Sequence, residues 1–440
     1  MLAPSGSPVP DLTATPLGWL AVATFALAYV LVVTEELTGL RKSKPLVVAA
    51  GLIWLFVAIA WSRESITGVG EALRHNLLEY AELLLFLLAA MSYVNTMEER
   101  RIFDALRARV VARRLSYRGT FWLTGGLAFC LSPVIDNLTT ALVMGAVVLA
   151  IGRGNARFIA PACVNVVVAA NAGGAFSPFG DITTLMVWQK GILGFFDFFS
   201  LFVPSVINWL VPALCLHFAL PQGQPSEERG RIEVKRGGCI VVLLFVFTIA
   251  ITVLGHTYAH LPPFLGMMSG LGLLQLFGYF IRRRELQDRA AGSKPFDVFI
   301  SIKRVEWDTL LFFYGVMLCV GGLAAFGYLA AFSSISYESL GPSASNISLG
   351  IVSAVIDNIP IMFAVLTLDP QMSAGQWLLV TLTAGVGGSL LSIGSAAGVA
   401  LMGQARGQYT FMSHLKWTWA IGLGYAASIA AHFAINARHF

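Results

Sequence analysis

Ten segments of the sequence are apolar over lengths that can cross a lipid bilayer, and no other feature restricts the fold as strongly. They lie at residues 18–37, 46–61, 76–97, 157–190, 195–219, 239–256, 261–281, 305–326, 374–405 and 414–436. A helix needs roughly 20 apolar residues to cross the hydrocarbon core, where no backbone polar group can stay unpaired. Only 12% of the 440 residues are charged, about half the fraction found in water-soluble domains. The sequence therefore predicts an all-α polytopic membrane protein.

Two further apolar segments, 118–151 and 344–370, contain a polar break near the middle. Each is too long for one membrane span and too short for two, so we expect each to form a re-entrant hairpin. The same four residues, Val-Ile-Asp-Asn, occupy both breaks, at 134–137 and 355–358. Two of the ten spans are interrupted by Gly and Ser, which predicts discontinuous helices at the membrane midplane. These are the segments 157–190 and 374–405.

Basic residues are distributed unevenly among the predicted loops. If the N-terminus lies outside, the outer side has only four of the 29 Lys and Arg residues, namely Arg63, Arg74, Lys190 and Arg438. Cytoplasmic loops are enriched in Lys and Arg, so this distribution predicts an outer N-terminus. It also requires both hairpins to re-enter the membrane rather than cross it. We expect a multi-pass protein of the bacterial inner (plasma) membrane.

The segment 97–116, MEERRIFDALRARVVARRLS, is basic and amphipathic. Such segments lie along the membrane surface, so we expect one helix on the cytoplasmic interface. Two roles are open for it: an anchor that sets the topology, or a rigid arm that holds a moving bundle.

Three pairs of segments recur in the same order, which indicates an internal repeat. Besides the two Val-Ile-Asp-Asn motifs, LLLFLLAAM at 83–91 resembles TLLFFYGVM at 309–317. In addition, GGAFSPFGDITTLM at 173–186 resembles GGSLLSIGSAAGVA at 387–400. The chain is therefore predicted to contain two repeats, each with five transmembrane helices and one hairpin.

An odd number of crossings gives the two repeats opposite orientations in the membrane. The predicted boundaries are an outer N-terminal tail at 1–17, a first repeat at 18–219, a cytoplasmic linker at 220–238 and a second repeat at 239–436. Inverted repeats with paired broken helices are typical of secondary transporters, whose site lies near the midplane between the repeats.

Asp136 and Asp357 are the ionisable residues of the two repeated motifs. Ionisable groups inside a membrane are costly and usually mark functional sites. Together with Asn137, Asn358 and nearby hydroxyl groups they form an oxygen-rich set, which suits a small hard cation. A carboxylate removed from water also holds a proton more readily. Protons and a cation can therefore compete for these aspartates, which couples their movement in opposite directions.

An alternative reading gives the same residues structural roles. Asp136 and Asp357 would then only cap the second helices of the hairpins, since Asp is a favoured N-cap residue. Asn137 and Asn358 would close the tip turns. Asp181, after the first glycine-containing break, is either a third cation group or a cap. Weaker candidate ligands are Ser132, Asn171, Ser177 and Ser392.

Six glycines lie in the broken helices, where they allow unwinding and close approach; tight helix packing is the alternative. They are Gly173, Gly174, Gly180, Gly387, Gly388 and Gly394. Glu82 and Asp308 match across the repeat, and Glu306 lies beside Asp308. These three are candidate proton relays or mouth residues, and solvation at a helix start is their alternative role.

Several classes of function have no motif here. No P-loop, dinucleotide fingerprint or zinc-protease motif occurs in a matching context, so we expect neither an enzyme nor a cofactor. The arginines follow the predicted topology rather than a nucleic-acid-binding stripe, so no nucleic acid partner is expected.

Three motifs carry a resemblance to a known family: SPVIDNLTTAL, NAGGAFSPFGDITTLMVWQKG and SAVIDNIP. Together they resemble the NhaD-type sodium/proton antiporters, in the ion transporter superfamily that includes arsenite pumps and dicarboxylate carriers. The resemblance extends from Glu82 to Gly403. It implies that Na⁺ or Li⁺ is expelled in exchange for H⁺, by a homodimer with elevator-like movement.

The resemblance also implies which residues matter. The important polar positions of the family fall on Glu82, Asp136, Asn137, Thr139, Asn171, Asp181, Glu306, Asp308, Asp357 and Asn358, with Ser132, Ser353 and Ser392 in support. The implied Na⁺ site is at Asp136, Asn137, Asp357 and Asn358. His75 matches a family histidine, whereas Ile192 lies where a second histidine is expected.

Two other functions remain open on the same fold. One is a sodium-coupled carrier of dicarboxylates or other organic anions, and the other is an arsenite channel that works with an ATPase. Anion sites favour hydrogen-bond donors over an aspartate at each tip, which makes the cation antiporter the main hypothesis.

Overall fold

The structure is a computed structural model that describes residues 11–224, 233–287 and 296–440. Across these ranges the chain is helical and contains no strand. The α-helices, numbered in chain order, are α1 (Pro16–Val33), α2 (Glu35–Thr38), α3 (Ser43–Arg63), α4 (Val69–Glu99), α5 (Ile102–Ala112), α6 (Tyr117–Ile135), α7 (Asn137–Ile151), α8 (Ala156–Gly174), α9 (Ile182–Gln189), α10 (Phe202–Ala219), α11 (Gly238–Ala259), α12 (Pro263–Gln287), α13 (Val298–Lys303), α14 (Trp307–Ala325), α15 (Tyr328–Ser333), α16 (Pro342–Val352), α17 (Asn358–Leu368), α18 (Ala374–Gly387), α19 (Ala396–Ala405), α20 (Phe411–Leu415) and α21 (Thr418–Ile435). Short 3-10 helices cover Asp197–Leu201 and Ala437–His439, and a π-helix covers Ser334–Glu338.

Nine helices in the described ranges are long and apolar enough to cross a membrane, which confirms the prediction of a multi-pass all-helical protein. They are α1, α3, α4, α8, α10 with its preceding 3-10 turn, α11, α12, α14 and α21. In α8, 83% of the apolar window is buried inside the protein, whereas in α1 the share is 17%. The outer helices instead expose large apolar side chains such as Trp19 and Leu243, as membrane spans do.

Two predicted spans are divided at places where no break is predicted. The span at 18–37 is divided at Thr34, where α1 ends and the short helix α2 begins. The span at 414–436 is divided between α20 and α21. The span at 374–405, which is predicted to be discontinuous, forms two helices that are each too short to cross alone.

Within the segment 97–116, where one helix is predicted, the helix α5 covers only Ile102–Ala112, because a turn at Arg100 and Arg101 separates it from α4. Arg100 is buried, with its guanidinium 2.6 Å from Glu285 and 4.2 Å from the centre of the Phe296 ring. Arg101 then adopts a left-handed conformation (φ 62°), which a helix interior does not allow. The buried ion pair at Arg100 therefore ends α4.

The four interruptions that the sequence predicts are present. Asp136 separates α6 from α7, and residues 353–357 separate α16 from α17. The break between α8 and α9 covers 175–181, and the break between α18 and α19 covers 388–395. Polar backbone groups are thereby left without helical partners at four places within apolar sequence.

Packing divides the chain into two units, and each unit combines segments from both predicted repeats. The first unit comprises Met1–Leu77, Arg114–Glu227 and Leu311–Phe440, and the second comprises Leu78–Arg113 and Glu228–Leu310. In the second unit, the Tyr93 hydroxyl donates to the carbonyl of Gly270 (2.7 Å) and lies 3.0 Å from the Thr248 hydroxyl, which joins α4, α11 and α12. The division follows packing alone, so the predicted repeat boundaries remain predictions.

Within the first unit, two groups of helices have the same contact. α6 packs on α8, and the Ser132 hydroxyl donates to the carbonyl of Ala170 (2.6 Å). Likewise α16 packs on α18, and the Ser353 hydroxyl donates to the carbonyl of Ala384 (2.8 Å). In both cases a serine just before the repeated motif holds its helix against a broken helix.

Candidate functional site

The carboxylate of Asp181 lies at the centre of a buried polar cluster in the first unit. Asp181 ends the break before α9 and caps that helix, since its Oδ1 accepts a hydrogen bond from the backbone N–H of Thr183 (3.1 Å). The Asn358 amide lies 3.2 Å from Oδ1 and 3.0 Å from Oδ2, and the Asn137 amide lies 3.2 Å from Oδ2. One carboxylate thus accepts hydrogen bonds from the asparagines of both repeated motifs.

The two motif aspartates place these asparagines by capping the helices that follow. Asp136 accepts from the backbone N–H (2.7 Å) and the hydroxyl (2.9 Å) of Thr139 at the start of α7. Asp357 accepts from the backbone N–H of Ile359 (3.4 Å) at the start of α17. Asn137 and Asn358 are the first residues of these helices. Asp136 also has a positive φ of 70° with ψ of 156°, a strained conformation of the kind that functional sites retain.

Asn171 on α8 connects this carboxylate cluster to the second broken helix. Its Oδ1 accepts a hydrogen bond from the Asn137 amide (3.0 Å). Its Nδ2 donates to the hydroxyls of Ser389 (2.7 Å) and Ser395 (3.0 Å), which both follow α18. Asn171 is fully buried, so these contacts satisfy its amide within the protein. The two breaks are thereby joined through one side chain.

Glycines allow the backbone to fold back on itself at each break. A Cβ on Gly174 would lie 2.7 Å from the carbonyl oxygen of Gly180, and a Cβ on Gly388 would lie 2.6 Å from that of Gly394. No side chain fits at either crossing. Gly173 lies against the backbone of α6 at Phe129, and Gly387 lies against the backbone of α16 at Gly350. The six glycines therefore serve close approach as well as unwinding.

Two residues near Asp357 have no signal in the sequence pattern. The backbone N–H of Asp357 donates to the hydroxyl of Tyr29 on α1 (3.0 Å). Lys42, just before α3, interacts electrostatically with Asp357, and its ammonium lies 4.5 Å from the centre of the Phe312 ring. Asp357 in turn interacts electrostatically with Asp181. The sequence presents Lys42 only as a loop residue that marks the cytoplasmic side.

The remaining predicted residues lie in several places. The hydroxyls of Ser132 and Ser353 are hydrogen-bonded to α8 and α18, as described above, and the Ser177 hydroxyl donates to the carbonyl of Pro133 (2.8 Å). Ser392 is fully buried, and its hydroxyl has no hydrogen-bond partner among the described residues. His75 lies exposed on α4.

The three predicted proton-relay residues belong to the second unit. Glu82 is half-buried in the middle of α4 rather than at a helix start. Asp308 lies in the first turn of α14. Glu306 is exposed and accepts a hydrogen bond from the Thr309 hydroxyl (3.0 Å).

The cluster contains the kinds of polar group that can hold a small cation. Carboxylate, amide and hydroxyl groups are hard oxygen donors. Among the described residues no group of three or more His, Cys, Asp or Glu side chains is arranged to hold a metal ion. The Asp181 carboxylate and its two neutral amide partners supply one negative charge at the centre of the cluster, which is the charge that a monovalent cation would neutralise.

Comparison with known proteins gives matches along the whole chain. The sequence profile of the CitMHS family, described as citrate transporter, matches residues 29–385. The Na⁺/H⁺ antiporter NhaD of Alkalimonas amylolytica is 55% identical over 459 residues, which cover 100% of this chain and 95% of that protein. NhaD of Vibrio cholerae is 55% identical over 449 residues, covering 98% and 94% respectively. Sodium/proton antiporter 1 of Arabidopsis thaliana is 30% identical over 428 residues, covering 94% and 72%. These relatives are transporters, not enzymes.

Proposed function

The chain belongs to the CitMHS family and to the NhaD-type sodium/proton antiporters, and we propose that it exports Na⁺ or Li⁺ in exchange for protons. One observation carries the proposal beyond the family resemblance: the Asp181 carboxylate accepts hydrogen bonds from Asn137 and Asn358 together. A buried anion between two amides is a site that a monovalent cation can enter by displacing donors.

The amides give the site two arrangements. In the structure, the nitrogens of Asn137 and Asn358 face the Asp181 carboxylate. A half-turn of each amide exchanges nitrogen for oxygen, so the carboxylate and both amide oxygens then face a bound cation. The Ser392 hydroxyl, Asn171 and the backbone of the breaks are further proposed contributors.

Protons are coupled to the cation through the aspartates. A carboxylate must be ionised to bind a cation, so cation binding releases a proton that the carboxylate held. We assign this competition to Asp136, Asp181 and Asp357. Lys42 supplies positive charge near Asp357 when no cation is bound. Glu82, Glu306 and Asp308 are proposed as proton-relay residues on the family resemblance alone.

The architecture is proposed to be two inverted repeats, 18–219 and 239–436, each with a re-entrant hairpin. The matching Ser132–Ala170 and Ser353–Ala384 contacts support the repeat, as do the helix breaks at both motifs. An elevator-type movement is proposed from the family resemblance. A homodimer in the inner membrane with the N-terminus outside is proposed from the family resemblance and the distribution of basic residues.

A second candidate function is sodium-coupled transport of an organic anion, because the matching CitMHS profile is described as citrate transporter. The polar cluster argues against it. The groups around Asp181 leave a carboxylate at the centre, and a di- or tricarboxylate substrate would be repelled there.

Transport in proteoliposomes separates the two functions. With an imposed pH gradient (acid inside), addition of Na⁺ or Li⁺ should dissipate the gradient, and addition of K⁺ should not. Citrate should leave Na⁺ uptake unchanged. Citrate-stimulated Na⁺ uptake without Na⁺-driven proton flux would favour the anion carrier instead.

A further inference from the structure

The second helix break is held by side chains from outside the broken helix. The backbone carbonyl of Ser389, just after α18, lies 2.8 Å from Nε2 of His414. The carbonyl of the next residue, Leu390, accepts from the hydroxyl of Thr418 (2.8 Å). Carbonyls at the end of a helix need partners from elsewhere. Here they come from the segment around α20 and the start of α21.

In the first break, the carbonyl of Ser177 has a side-chain partner within the same broken helix. The Thr184 hydroxyl, on the helix that follows the break, donates to the carbonyl of Ser177 (2.8 Å). In the sequence repeat, Thr184 is matched by Gly398 and Ser177 by Leu391, so the second break has no hydroxyl at the matching position. Its side-chain contacts from outside the broken helix are instead those of His414 and Thr418, on the carbonyls of Ser389 and Leu390.

The histidine is itself held in one orientation. A carbonyl oxygen can only accept, so Nε2 of His414 carries the hydrogen that bonds Ser389. Its Nδ1 lies 2.7 Å from the hydroxyl of Tyr409, which donates to it when the ring is neutral. His414 is 0% exposed and Tyr409 is 1% exposed. Both hydrogen bonds are shielded from water, so the pair forms a rigid support.

Ser389 connects this pair to the cation site. Its hydroxyl accepts from the Asn171 amide (2.7 Å), and Asn171 accepts from Asn137, which contacts Asp181. Any shift of the Ser389 backbone therefore moves the partner of Asn171.

We propose that His414, oriented by Tyr409, is a positioning residue that sets the affinity of the cation site by fixing the backbone of Ser389. The inference rests on the proposed function, because the affinity concerned is that for Na⁺ at Asp181. It assigns the role to residues outside both repeated motifs and both helix breaks.

A matched histidine provides the control. His432 on α21 is also 0% exposed. Its Nε2 lies 3.0 Å from the carbonyl of Gly375, and its Nδ1 lies 2.9 Å from the Asn436 amide. It bonds the start of α18, whereas His414 bonds the chain just beyond its end. Loss of either histidine costs buried hydrogen bonds, but only His414 is connected to Asn171.

The test measures the KM for Na⁺ in proteoliposomes together with thermal unfolding in detergent. His414→Leu should raise KM about tenfold, the effect of losing one well-placed buried hydrogen bond, and leave kcat within about twofold. His414→Gln should restore most of the affinity, because its terminal amide can donate to the Ser389 carbonyl. His414→Asn is too short to reach it and should not. His432→Leu should lower the unfolding temperature without raising KM.

Three results would overturn the inference while wild-type exchange is intact. These are an unchanged KM in His414→Leu, equal KM values for the Gln and Asn variants, or an equal rise in His432→Leu. If His414→Leu does not fold, the comparison of the KM values of His414→Gln and His414→Asn decides. The double variant Ser389→Ala, His414→Asn should have a KM little higher than that of either single variant, because both changes act on the same connection from His414 through Ser389 to Asn171. An additive rise in KM would contradict the proposal. Absence of Na⁺-driven proton flux in the wild type would instead refute the proposed function.

Discussion

The amide of Asn358 lies 3.0 Å from Oδ2 and 3.2 Å from Oδ1 of Asp181, although 177 positions separate the two residues in the chain. Asn137, from the other copy of the motif, reaches the same carboxylate at 3.2 Å. The repeated Val-Ile-Asp-Asn sequence therefore delivers two amides to one acid that belongs to neither copy. Asp181 becomes the central group of the proposed site, and the motif aspartates become its neighbours.

The motif aspartates can be separated into caps and functional acids by removing only their charge. Asn is also a favoured N-cap and tolerates positive φ. Asp136→Asn and Asp357→Asn should therefore keep stability within about 1 kcal/mol. If the carboxylates take part in ion competition, both variants should lose most Na⁺-driven proton flux in proteoliposomes. Full transport by either variant would show that the aspartate concerned serves only as a helix cap.

Lys42 and Asp357 should behave as a coupled charge pair. Lys42 is only half-buried, so Lys42→Met and Asp357→Asn should each lower the free energy of unfolding in detergent by about 1 kcal/mol or less. The double variant should be more stable than the sum of the two losses predicts, with a coupling on the order of 1 kcal/mol. Lys44 is exposed, and Lys44→Met should combine additively with Asp357→Asn. If the losses of stability in Lys42→Met and Asp357→Asn are also additive, Lys42 and Asp357 are not coupled.

Ser132 and Ser392 should respond to alanine in opposite ways. The Ser132 hydroxyl donates to Ala170, so Ser132→Ala should cost about 1 kcal/mol of stability and change the KM for Na⁺ little. The Ser392 hydroxyl is buried with no partner among the described residues, so Ser392→Ala should be neutral or stabilising in the absence of Na⁺. If Ser392 contributes to the cation site, the same change should raise KM. Thermal unfolding with and without Na⁺ measures both effects, and an unchanged KM would remove Ser392 from the site.

The crossing glycines should not tolerate a methyl group. Gly174→Ala and Gly388→Ala place a Cβ within 2.7 Å and 2.6 Å of a backbone carbonyl oxygen, which should cost roughly 2 kcal/mol or more. Gly403 on α19 has no atom within 4 Å of such a Cβ. Gly403→Ala should therefore stabilise the helix by up to about 1 kcal/mol. Equal unfolding temperatures for all three variants would show that the backbone does not cross closely at the breaks.

Local signals in the sequence predict the helices and their interruptions well. Apolar length predicts the spans, and an Asp-Asn pair or a Gly-Gly pair inside an apolar run predicts a break. These signals act over a few residues, so they are visible without the fold. The turn at Arg100 is an exception, because an arginine in a basic segment gives no sign that Glu285 and Phe296 will bury it.

The arrangement of the site is less accessible from sequence. The sequence motifs identify Asp136, Asp181 and Asp357 as candidate cation-binding residues. They do not show which of the three lies at the centre of the site, because the distances between these carboxylates and the other polar groups depend on how remote segments pack. Tyr29 on α1 and Lys42 just before α3 approach Asp357 from segments that share no motif with it. His414 lies near the start of an apolar span and differs from a packing residue only through its contacts.

The proposed central role of Asp181 is tested most directly by Na⁺-driven proton flux in proteoliposomes containing Asp181→Asn. The control is Asp197→Asn, which removes the charge of an exposed carboxylate that accepts a hydrogen bond from the nearby backbone N–H of Gly194 (2.8 Å). We predict flux at the level of protein-free liposomes for Asp181→Asn and wild-type flux for Asp197→Asn, with both proteins folded in detergent. Na⁺-driven flux in Asp181→Asn with an unchanged KM would contradict the account.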